Sequence, residues 1–278
     1  MQQATTFNII RVKGSKAQRA DDTITTEEPL ELRLQYATSA GRQRKSISVT
    51  MRTPGNDAEL AIGFLYTENI ISGLSDVKAL EHTDIKNNNV VMVTLAENAV
   101  PDVARLERNF YTTSSCGVCG KASIESVRMS CPIADTKDNI VISCETLFGL
   151  SEKLRNNQEV FALTGGLHGC GIFDLSGNLI MAKEDAGRHN ALDKLIGAGL
   201  IADMLPLNNH ILMLSGRISF ELVQKAAMAG IKIIAAVGAP SSLAVEMANE
   251  WGMTLIGFLR NEQFNVYAGA ERIDLKME

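Results

Sequence analysis

Two cysteines in a glycine-rich setting are the residues of this sequence best suited to chemistry. The segment CGVCG begins at Cys116, contains Cys119 and places a glycine after each cysteine, so neither sulfur is shielded by a following side chain. Residues 121–129 are compatible with a helix, which would put both thiols near a helix N-terminus. The dipole there favours the thiolate. A thiolate is the form that attacks a persulfide donor.

A zinc site is one alternative for this pair. The C-x-x-C would then be half of a zinc knuckle, completed by Cys131 and Cys144 or by His168 and Cys170. The spacing C-x2-C-x11-C-x12-C is not a standard zinc pattern, and the sequence has no second C-x-x-C.

Two further alternatives need no metal. A thioredoxin-type dithiol would open a helix directly after a strand, whereas the run before Cys116 is polar (TTSS). Inert structural cysteines are the other alternative, and these are usually buried rather than glycine-rich and open.

A second glycine-rich segment, TGGLHGCG, runs from Thr164 to Gly171. A dinucleotide fingerprint requires a helix after the glycines, but here the pattern predicts a strand. A ligand-binding role and a tight turn between two closely packed backbones both remain open, and the same holds for His168.

Two candidate sites lie at predicted helix starts. Ser215-Gly216-Arg217 ends a strand just before a helix, which is where open α/β sheets usually bind ligands; Arg217 can pair with a phosphate there or be an ordinary solvated loop residue. Glu184 and Asp185 precede another helix, where acidic residues commonly act as caps. His189, at the start of that helix, is predicted to be a packed polar residue.

Composition excludes several classes of function. The chain has 278 residues, 45% of them hydrophobic and 21% charged, with a net charge of −5. No basic surface is indicated, so nucleic acid is not expected as a partner. The N-terminus lacks the apolar core of a signal peptide and no apolar run could span a membrane, so we expect a cytoplasmic protein with no membrane contact. Five cysteines argue against a disulfide framework.

The first part of the chain predicts a small α+β unit. Residues 1–29 are polar and predict a loosely ordered lead-in with at most one short strand. Alternating patterns predict a hairpin of Leu30–Ala37 with Ser46–Met51, and a second hairpin within Val77–Leu95. Asn56 and Glu59 predict a capping box at the start of a helix. A further helix is predicted from Pro101.

The second half predicts an α/β domain. Two strands, Gly171–Leu175 and Leu179–Lys183, are followed by helices that alternate with strands. The predicted elements are Arg188–Gly197 (helix), Ile211–Leu214 (strand), Ser219–Ala229 (helix), Lys232–Val237 (strand), Ser241–Trp251 (helix), Thr254–Leu259 (strand) and a last strand at Val266–Tyr267. This order predicts a largely parallel or mixed sheet that is covered on both faces.

Taken together, the motifs resemble those of the FdhD/NarQ family of formate dehydrogenase accessory proteins. The resemblance rests on CGVCG, TGGLHGCGIF, EDAGRHNALDKLIG, SGRISFELVQKAAMAG, SSLAVEMA and GMTLIGF, and it covers residues 27–267. It implies a cytidine deaminase-like three-layer α/β/α domain with a smaller N-terminal α+β unit. We expect these parts at residues 161–278 and 1–110, joined by a segment, 111–160, that carries the C-x-x-C loop.

The resemblance also implies an activity. The family is one of sulfurtransferases that take sulfur from a cysteine desulfurase and pass it to the molybdenum cofactor, bis-molybdopterin guanine dinucleotide, for formate dehydrogenase. Cys116 would carry the persulfide, and Cys119 would assist. The expected partners are the desulfurase and the dehydrogenase apoprotein, no structural metal is expected, and a homodimer is one open oligomeric state. GDP should bind as a fragment of the cofactor.

The resemblance assigns cofactor binding to one loop in particular. This loop is Phe258-Leu259-Arg260-Asn261-Glu262-Gln263, with Ser215 and Arg217 as further phosphate ligands. Family members often carry Gly-Arg where this chain has Glu262-Gln263, and a carboxylate close to a pyrophosphate is unfavourable.

The rival hypotheses are a zinc deaminase-type enzyme and a chaperone that only binds the cofactor. Zinc deamination requires H-x-E and P-C-x-x-C at two helix starts. The helices that begin near Arg188 and Ser219 carry neither motif. The formation of a persulfide on Cys116 would distinguish a carrier from a chaperone.

Overall fold

The computed structural model describes residues 2–83, 88–99, 101 and 138–276 of the protein. Cys116, Cys119 and Cys131 lie outside these residues, as do the helix predicted from Pro101 and the helix predicted over 121–129. The predictions made for them therefore stay predictions.

The N-terminal residues form a long antiparallel hairpin of β1 (Ala4–Lys13) and β2 (Lys16–Thr25). The prediction of a loosely ordered lead-in was wrong. It relied on polar composition, but a ladder of backbone hydrogen bonds forms regardless of side-chain polarity, and β-branched residues favour it. Gly14, with φ +62°, supplies the turn conformation.

A four-stranded sheet follows and confirms both predicted hairpins. Its strands are β3 (Glu28–Thr38), β4 (Gly41–Arg52), β5 (Val77–His82) and β6 (Val90–Leu95), in the order β4-β3-β6-β5. Leu30, Leu32, Leu34 and Tyr36 alternate along β3 and are all buried on one face.

Helix α1 (Asp57–Thr67) packs against this sheet, but the predicted capping box is absent. Asn56 adopts the left-handed conformation, with φ 57°, and its side chain makes no capping hydrogen bond. The Glu59 carboxylate instead accepts from Lys183 Nζ at 3.0 Å. The Glu59 side chain is thus engaged in a long-range ion pair and does not form the predicted capping hydrogen bond with the Asn56 backbone.

The second half forms a six-stranded mixed sheet in the order β13-β12-β11-β10-β8-β9. The strands are β8 (His168–Asp174), β9 (Leu179–Asp185), β10 (His210–Leu214), β11 (Ile233–Ala236), β12 (Thr254–Arg260) and β13 (Gln263–Ala268). Strands β10, β11 and β12 are parallel, and their neighbours are antiparallel. The prediction of a mixed sheet is confirmed.

Helices cover both faces of this sheet, as predicted. Residues such as Leu212 and Ile234 face α5 (Arg188–Ile201), α6 (Phe220–Met228) and α7 (Ser242–Glu250). The alternate residues Ile211 and Ile233 face two short helices, α2 (Cys144–Phe148) and α3 (Leu150–Asn156). The short strands β7 (Ile142–Ser143) and β14 (Ile273–Asp274) pair beside them. The fold is therefore mixed α/β, and its likeness to deaminases stays a prediction.

The two sheets are joined through helices α1 and α5. A Cβ on Gly63 would lie 1.8 Å from the Asp193 carbonyl oxygen, and a Cβ on Gly197 would lie 1.9 Å from that of Glu59. The two backbones are thus in direct contact, which only glycine allows. Asp193 also accepts from Lys225 Nζ at 2.9 Å within the same buried contact.

The predicted boundaries at residues 110 and 160 stay predictions. Helices α2 and α3, which fall in the predicted linking segment, pack on the six-stranded sheet. In the described part of the chain, no helix has both the length and the apolar character needed to cross a bilayer.

Candidate functional site

Three loops meet at the carboxyl ends of the parallel strands β10, β11 and β12. A Cβ on Gly238 would lie 2.7 Å from the Gly216 carbonyl oxygen, so these two loops approach each other as closely as backbones can. The Phe258 N–H donates to the Gly238 carbonyl oxygen at 3.2 Å, and this hydrogen bond joins the end of β12 to the other two loops. This edge is where open α/β sheets usually bind ligands.

The turn between β12 and β13 has an unusual backbone. Asn261 (φ 49°) and Glu262 (φ 57°) form a two-residue turn, with Arg260 paired to Gln263. Positive φ at both central positions is the type I′ geometry, which favours Asn and Gly. Phe258 also has a positive φ of 56°. Non-glycine residues held in this conformation cluster at ligand-binding sites.

A cavity of about 1140 Å³ opens beside this turn. It is larger than most pockets for drug-sized ligands. Short helices α2, α3 and α4 (Glu159–Thr164) form one wall, and the strand ends form the other. The described lining residues are Glu145, Phe148, Gly149, Ser151, Glu152, Leu154, Arg155, Gln158, Phe161, Gly165, Gly166, Leu167, His168, Ser215, Val237, Leu259, Arg260, Asn261 and Glu262.

The structure brings five of the predicted cofactor-binding residues to this cavity. They are Ser215, Leu259, Arg260, Asn261 and Glu262. Phe258 and Gln263 belong to the same hairpin but are not among the lining residues, and Arg217 is exposed on the loop after β10.

The helical wall was missed by the sequence predictions. It contributes Phe148, Arg155, Gln158 and Phe161, of which the Arg155 guanidinium stacks 3.7 Å from the centre of the Phe161 ring. A signal was present, because apolar residues at 147, 150 and 154 follow helical spacing. Each of these helices has at most seven residues, so the helical period repeats too few times to identify them from the sequence.

Ser215, directly after β10, and His168, at the start of β8, both line the cavity. The Ser215 hydroxyl oxygen accepts from the Gly169 N–H at 2.8 Å, so its own proton is available to a ligand. Burial, and after it the neighbouring Arg188 guanidinium, lowers the pKa of His168. His168 is therefore neutral at pH 7 and serves as a hydrogen-bonding group rather than a cation.

The prediction that Glu184 and Asp185 cap α5 was wrong, because the N-cap of that helix is Gly187 and no side chain caps it. Glu184 accepts from the Val160 and Phe161 N–H groups at the start of α4, both at 3.0 Å. His189 is packed between Ser219 and Glu221, with its Nε2 3.1 Å from Glu221 Oε2.

The two described cysteines are separated from one another. Cys170 is fully buried on β8, and Cys144 lies at the start of α2 with its sulfur 3.5 Å from the Asp274 carbonyl oxygen. Within residues that the structure describes, no group of three His, Cys, Asp or Glu side chains is arranged to hold a metal ion.

Comparisons with known proteins agree with this architecture. Residues 25–274 match the family model described as the FdhD/NarQ family. Two relatives named sulfur carrier protein FdhD are similar over nearly their full length. The one from Streptomyces coelicolor is 47% identical over 96% of this chain and 95% of its own. The one from Saccharolobus solfataricus is 40% identical over 96% and 97%.

A solved structure shows the same fold. A Desulfotalea psychrophila protein, provisionally described as a formate dehydrogenase accessory protein, superposes with a TM-score of 0.75, covering 98% of this chain and 100% of its own at 24% identity. From the family match and the two close relatives, we conclude that this chain belongs to the FdhD/NarQ family.

Proposed function

We propose that this protein is a sulfurtransferase that carries a persulfide sulfur on Cys116. The sulfur comes from a cysteine desulfurase and passes to bis-molybdopterin guanine dinucleotide for formate dehydrogenase. The observation that carries the proposal is the 40–47% identity, over more than nine-tenths of the chain, to relatives named sulfur carrier proteins. The family match spans residues 25–274 and so includes the C-x-x-C segment.

The loading step is a thiol exchange. The Cys116 thiolate attacks the outer sulfur of the desulfurase persulfide, forming a new S–S bond while the old one breaks. The desulfurase cysteine leaves as a thiolate and is reprotonated, so no external oxidant or reductant is needed. Attack by Cys119 on the loaded Cys116 would release the sulfur as sulfide and leave a disulfide. Cys119 therefore assists transfer only if it does not resolve the persulfide.

The cavity at the strand ends is our candidate for holding the acceptor. Arg260, Ser215 and the helical wall supply hydrogen-bond donors for the phosphates, and the volume suits a nucleotide. The three-layer arrangement supports the proposed kinship with cytidine deaminases, enzymes whose active-site pocket holds a nucleobase. The proposal places the protein in the cytoplasm with the desulfurase and the dehydrogenase apoprotein as partners, and a homodimer as its open oligomeric state.

The test is the intact mass of the protein after incubation with a cysteine desulfurase and cysteine. The wild type should gain the mass of one sulfur atom, and Cys116→Ala should gain none. Cys119→Ala, the matched control in the same segment, should still gain it and should retain more dehydrogenase activation than Cys116→Ala. Full activation by Cys116→Ala, or a persulfide found only on Cys119, would refute the proposal.

A further inference from the structure

The hairpin of β1 and β2 forms an arm that contacts the rest of the molecule only near its base. None of the described residues from 2 to 29 is buried, and residues 10–19 are all exposed. Each strand has ten residues, so the arm is about 30 Å long. Within the described chain the two strands pair only with each other, which leaves both outer edges of the arm open. A two-stranded hairpin with both faces in water is marginally stable, so we expect another molecule to cover it.

The arm exposes apolar side chains on both of its faces. Ile10 is 71% exposed and Val12 is 64% exposed, and they lie on the same face because they are two residues apart on one strand. Phe7, half exposed, lies on the opposite face, where Ile24 is its diagonal neighbour on β2. Exposed apolar groups concentrated on one element mark a surface that binds another macromolecule.

The tip of the arm is basic. Residues 9–20 contain four cations and no acidic residue, in a chain whose net charge is −5. Arg11 forms an exposed ion pair of 3.4 Å with Asp22, which lies nearer the base. Lys13 and Lys16 lie directly opposite each other at the end of the ladder. Like charges in this position destabilise a hairpin, and a negatively charged partner would relieve their repulsion. The surface therefore fits a partner that is acidic and partly apolar.

The base of the arm adjoins the cavity at the strand ends. The Thr25 hydroxyl at the end of β2 donates to the hydroxyl oxygen of Thr164, the last residue of α4, at 2.8 Å. A Cβ on Gly166 would lie 2.9 Å from the same Thr25 oxygen. Gly165 and Gly166 both line the cavity. A protein bound along the arm would therefore lie beside the candidate cofactor site.

We propose that the β1–β2 arm is the docking surface for the protein that receives the cofactor, the formate dehydrogenase apoprotein, which binds it through an acidic surface. This inference rests on the proposed function and adds to it the surface that the recipient recognises. The recipient must bind next to the cavity that holds the cofactor, and the arm begins there. Its twenty strand residues are also about the number that one side of a standard protein interface contains.

The two kinds of residue on the arm have different roles in docking. The cations of the tip attract the recipient over a distance and orient it, so their effect falls as salt screens the charges. Ile10 and Val12 lose contact with water when the recipient binds, and their contribution persists at high salt. The salt dependence of binding therefore separates the two contributions.

The test is the affinity of the full-length protein for the cofactor-free formate dehydrogenase of the same organism, measured by calorimetry at low and at high salt. Lys13→Glu/Lys16→Glu reverses the charge of the tip but keeps a like-charge pair across the ladder, so the hairpin itself is little altered. It should weaken binding about tenfold or more at low salt and much less at high salt. Ile10→Ser/Val12→Ser should weaken binding about tenfold or more at both.

Arg44→Glu/Lys78→Glu is the matched control, because it changes the net charge by the same amount at exposed positions outside the arm. It should bind the dehydrogenase as the wild type does. Equal weakening by this control would show that net charge, rather than the arm, governs binding. Wild-type affinity in Lys13→Glu/Lys16→Glu and in Ile10→Ser/Val12→Ser would also overturn the proposal.

Two further measurements distinguish other occupants of the arm. Both arm variants should gain one sulfur atom from the desulfurase, by intact mass, and should keep the oligomeric state of the wild type in gel filtration. Loss of sulfur uptake would assign the arm to the sulfur donor, and dissociation of a homodimer would assign it to a second copy; either result overturns the proposal. If the wild type takes up no sulfur, the proposed function fails, whatever the arm variants do.

Discussion

Gly169 faces the buried amide of Gln158, a residue that lines the cavity. A Cβ at this position would lie 2.4 Å from Gln158 Nε2 and 2.6 Å from its Cδ. Because Gln158 is enclosed, it has little room to retreat, so Gly169→Ala must displace the amide. We expect GDP binding to fall about tenfold, the scale of one lost hydrogen bond to a charged oxygen, in a calorimetric titration.

Gly73→Ala is the control for this substitution. Its Cβ would meet nothing closer than the Ser75 hydroxyl at 3.9 Å, and its backbone is extended. It should leave GDP affinity unchanged. Unaltered GDP affinity in Gly169→Ala would show that the Gln158 amide does not contact the nucleotide.

Cys170 is a thiol that burial keeps from reacting with a persulfide donor. It is fully buried, and burial raises the pKa of its thiol, so it is protonated at neutral pH. Cys170→Ala should therefore accept sulfur from a desulfurase as the wild type does, as measured by intact mass. It should lose about 1 kcal/mol of unfolding free energy in urea, because a small cavity replaces the sulfur. Loss of sulfur uptake in a folded Cys170→Ala protein would contradict this assignment.

At the scale of elements, the crossing of α1 and α5 depends on glycine. A Cβ at Gly197 would lie 1.9 Å from a backbone oxygen of α1, and backbone cannot yield as a side chain can. Gly197→Ala must push the helices apart. We expect a loss of about 2 kcal/mol or more in unfolding free energy, despite the higher helix propensity of alanine.

Gly199 on the same helix provides the comparison. A Cβ there would lie 3.1 Å from Leu205 Cδ1, the end of a flexible side chain. Gly199→Ala should therefore cost much less than Gly197→Ala in the same urea-unfolding measurement. Equal losses would indicate that the crossing tolerates separation and that both effects come from the helix itself.

Elements with a strong period were predictable from the sequence, and short or polar ones were not. The alternation of Leu30, Leu32 and Leu34 identified β3 because one face of that strand is buried. Strands β1 and β2 are largely exposed and lack such a face, so their pairing left little trace in the pattern. Helices α2 to α4 have at most seven residues, fewer than two full turns of a recognisable period.

At the scale of the whole molecule, the cavity could be predicted only in part. The resemblance assigned residues 258–263 and Ser215, and the structure brings Ser215 and residues 259–262 to one cavity. Gln158 could not be placed there from its own sequence context, because its position depends on the strand order β12-β11-β10-β8. That order is a property of tertiary packing rather than of any local pattern.

Asp138 ties together three parts of the chain that are far apart in sequence. Its carboxylate accepts from Arg272 Nε at 2.9 Å and from Lys232 Nζ at 2.6 Å. The hydrogen bonds from Arg272 outweigh burial and, together with Lys232, hold the pKa of Asp138 well below its usual range. These two ion pairs connect the segment before β7 with the residues that directly precede β11 and β14.

The lowered pKa gives a stability that depends on pH. A carboxyl group whose folded-state pKa is depressed stabilises the fold above its unfolded pKa, about 4, and loses that contribution as the pH falls towards the folded value. Asp138→Asn should lower the unfolding free energy at pH 7 by about 3 kcal/mol, because two largely buried cations lose a partner. The difference between wild type and variant should shrink as the pH falls from about 6 to about 3. Urea unfolding across this range measures it, with Asp274→Asn, at an exposed position, as a control that should follow the wild type. A difference that stays constant with pH would mean that Asp138 acts through packing rather than through its charge.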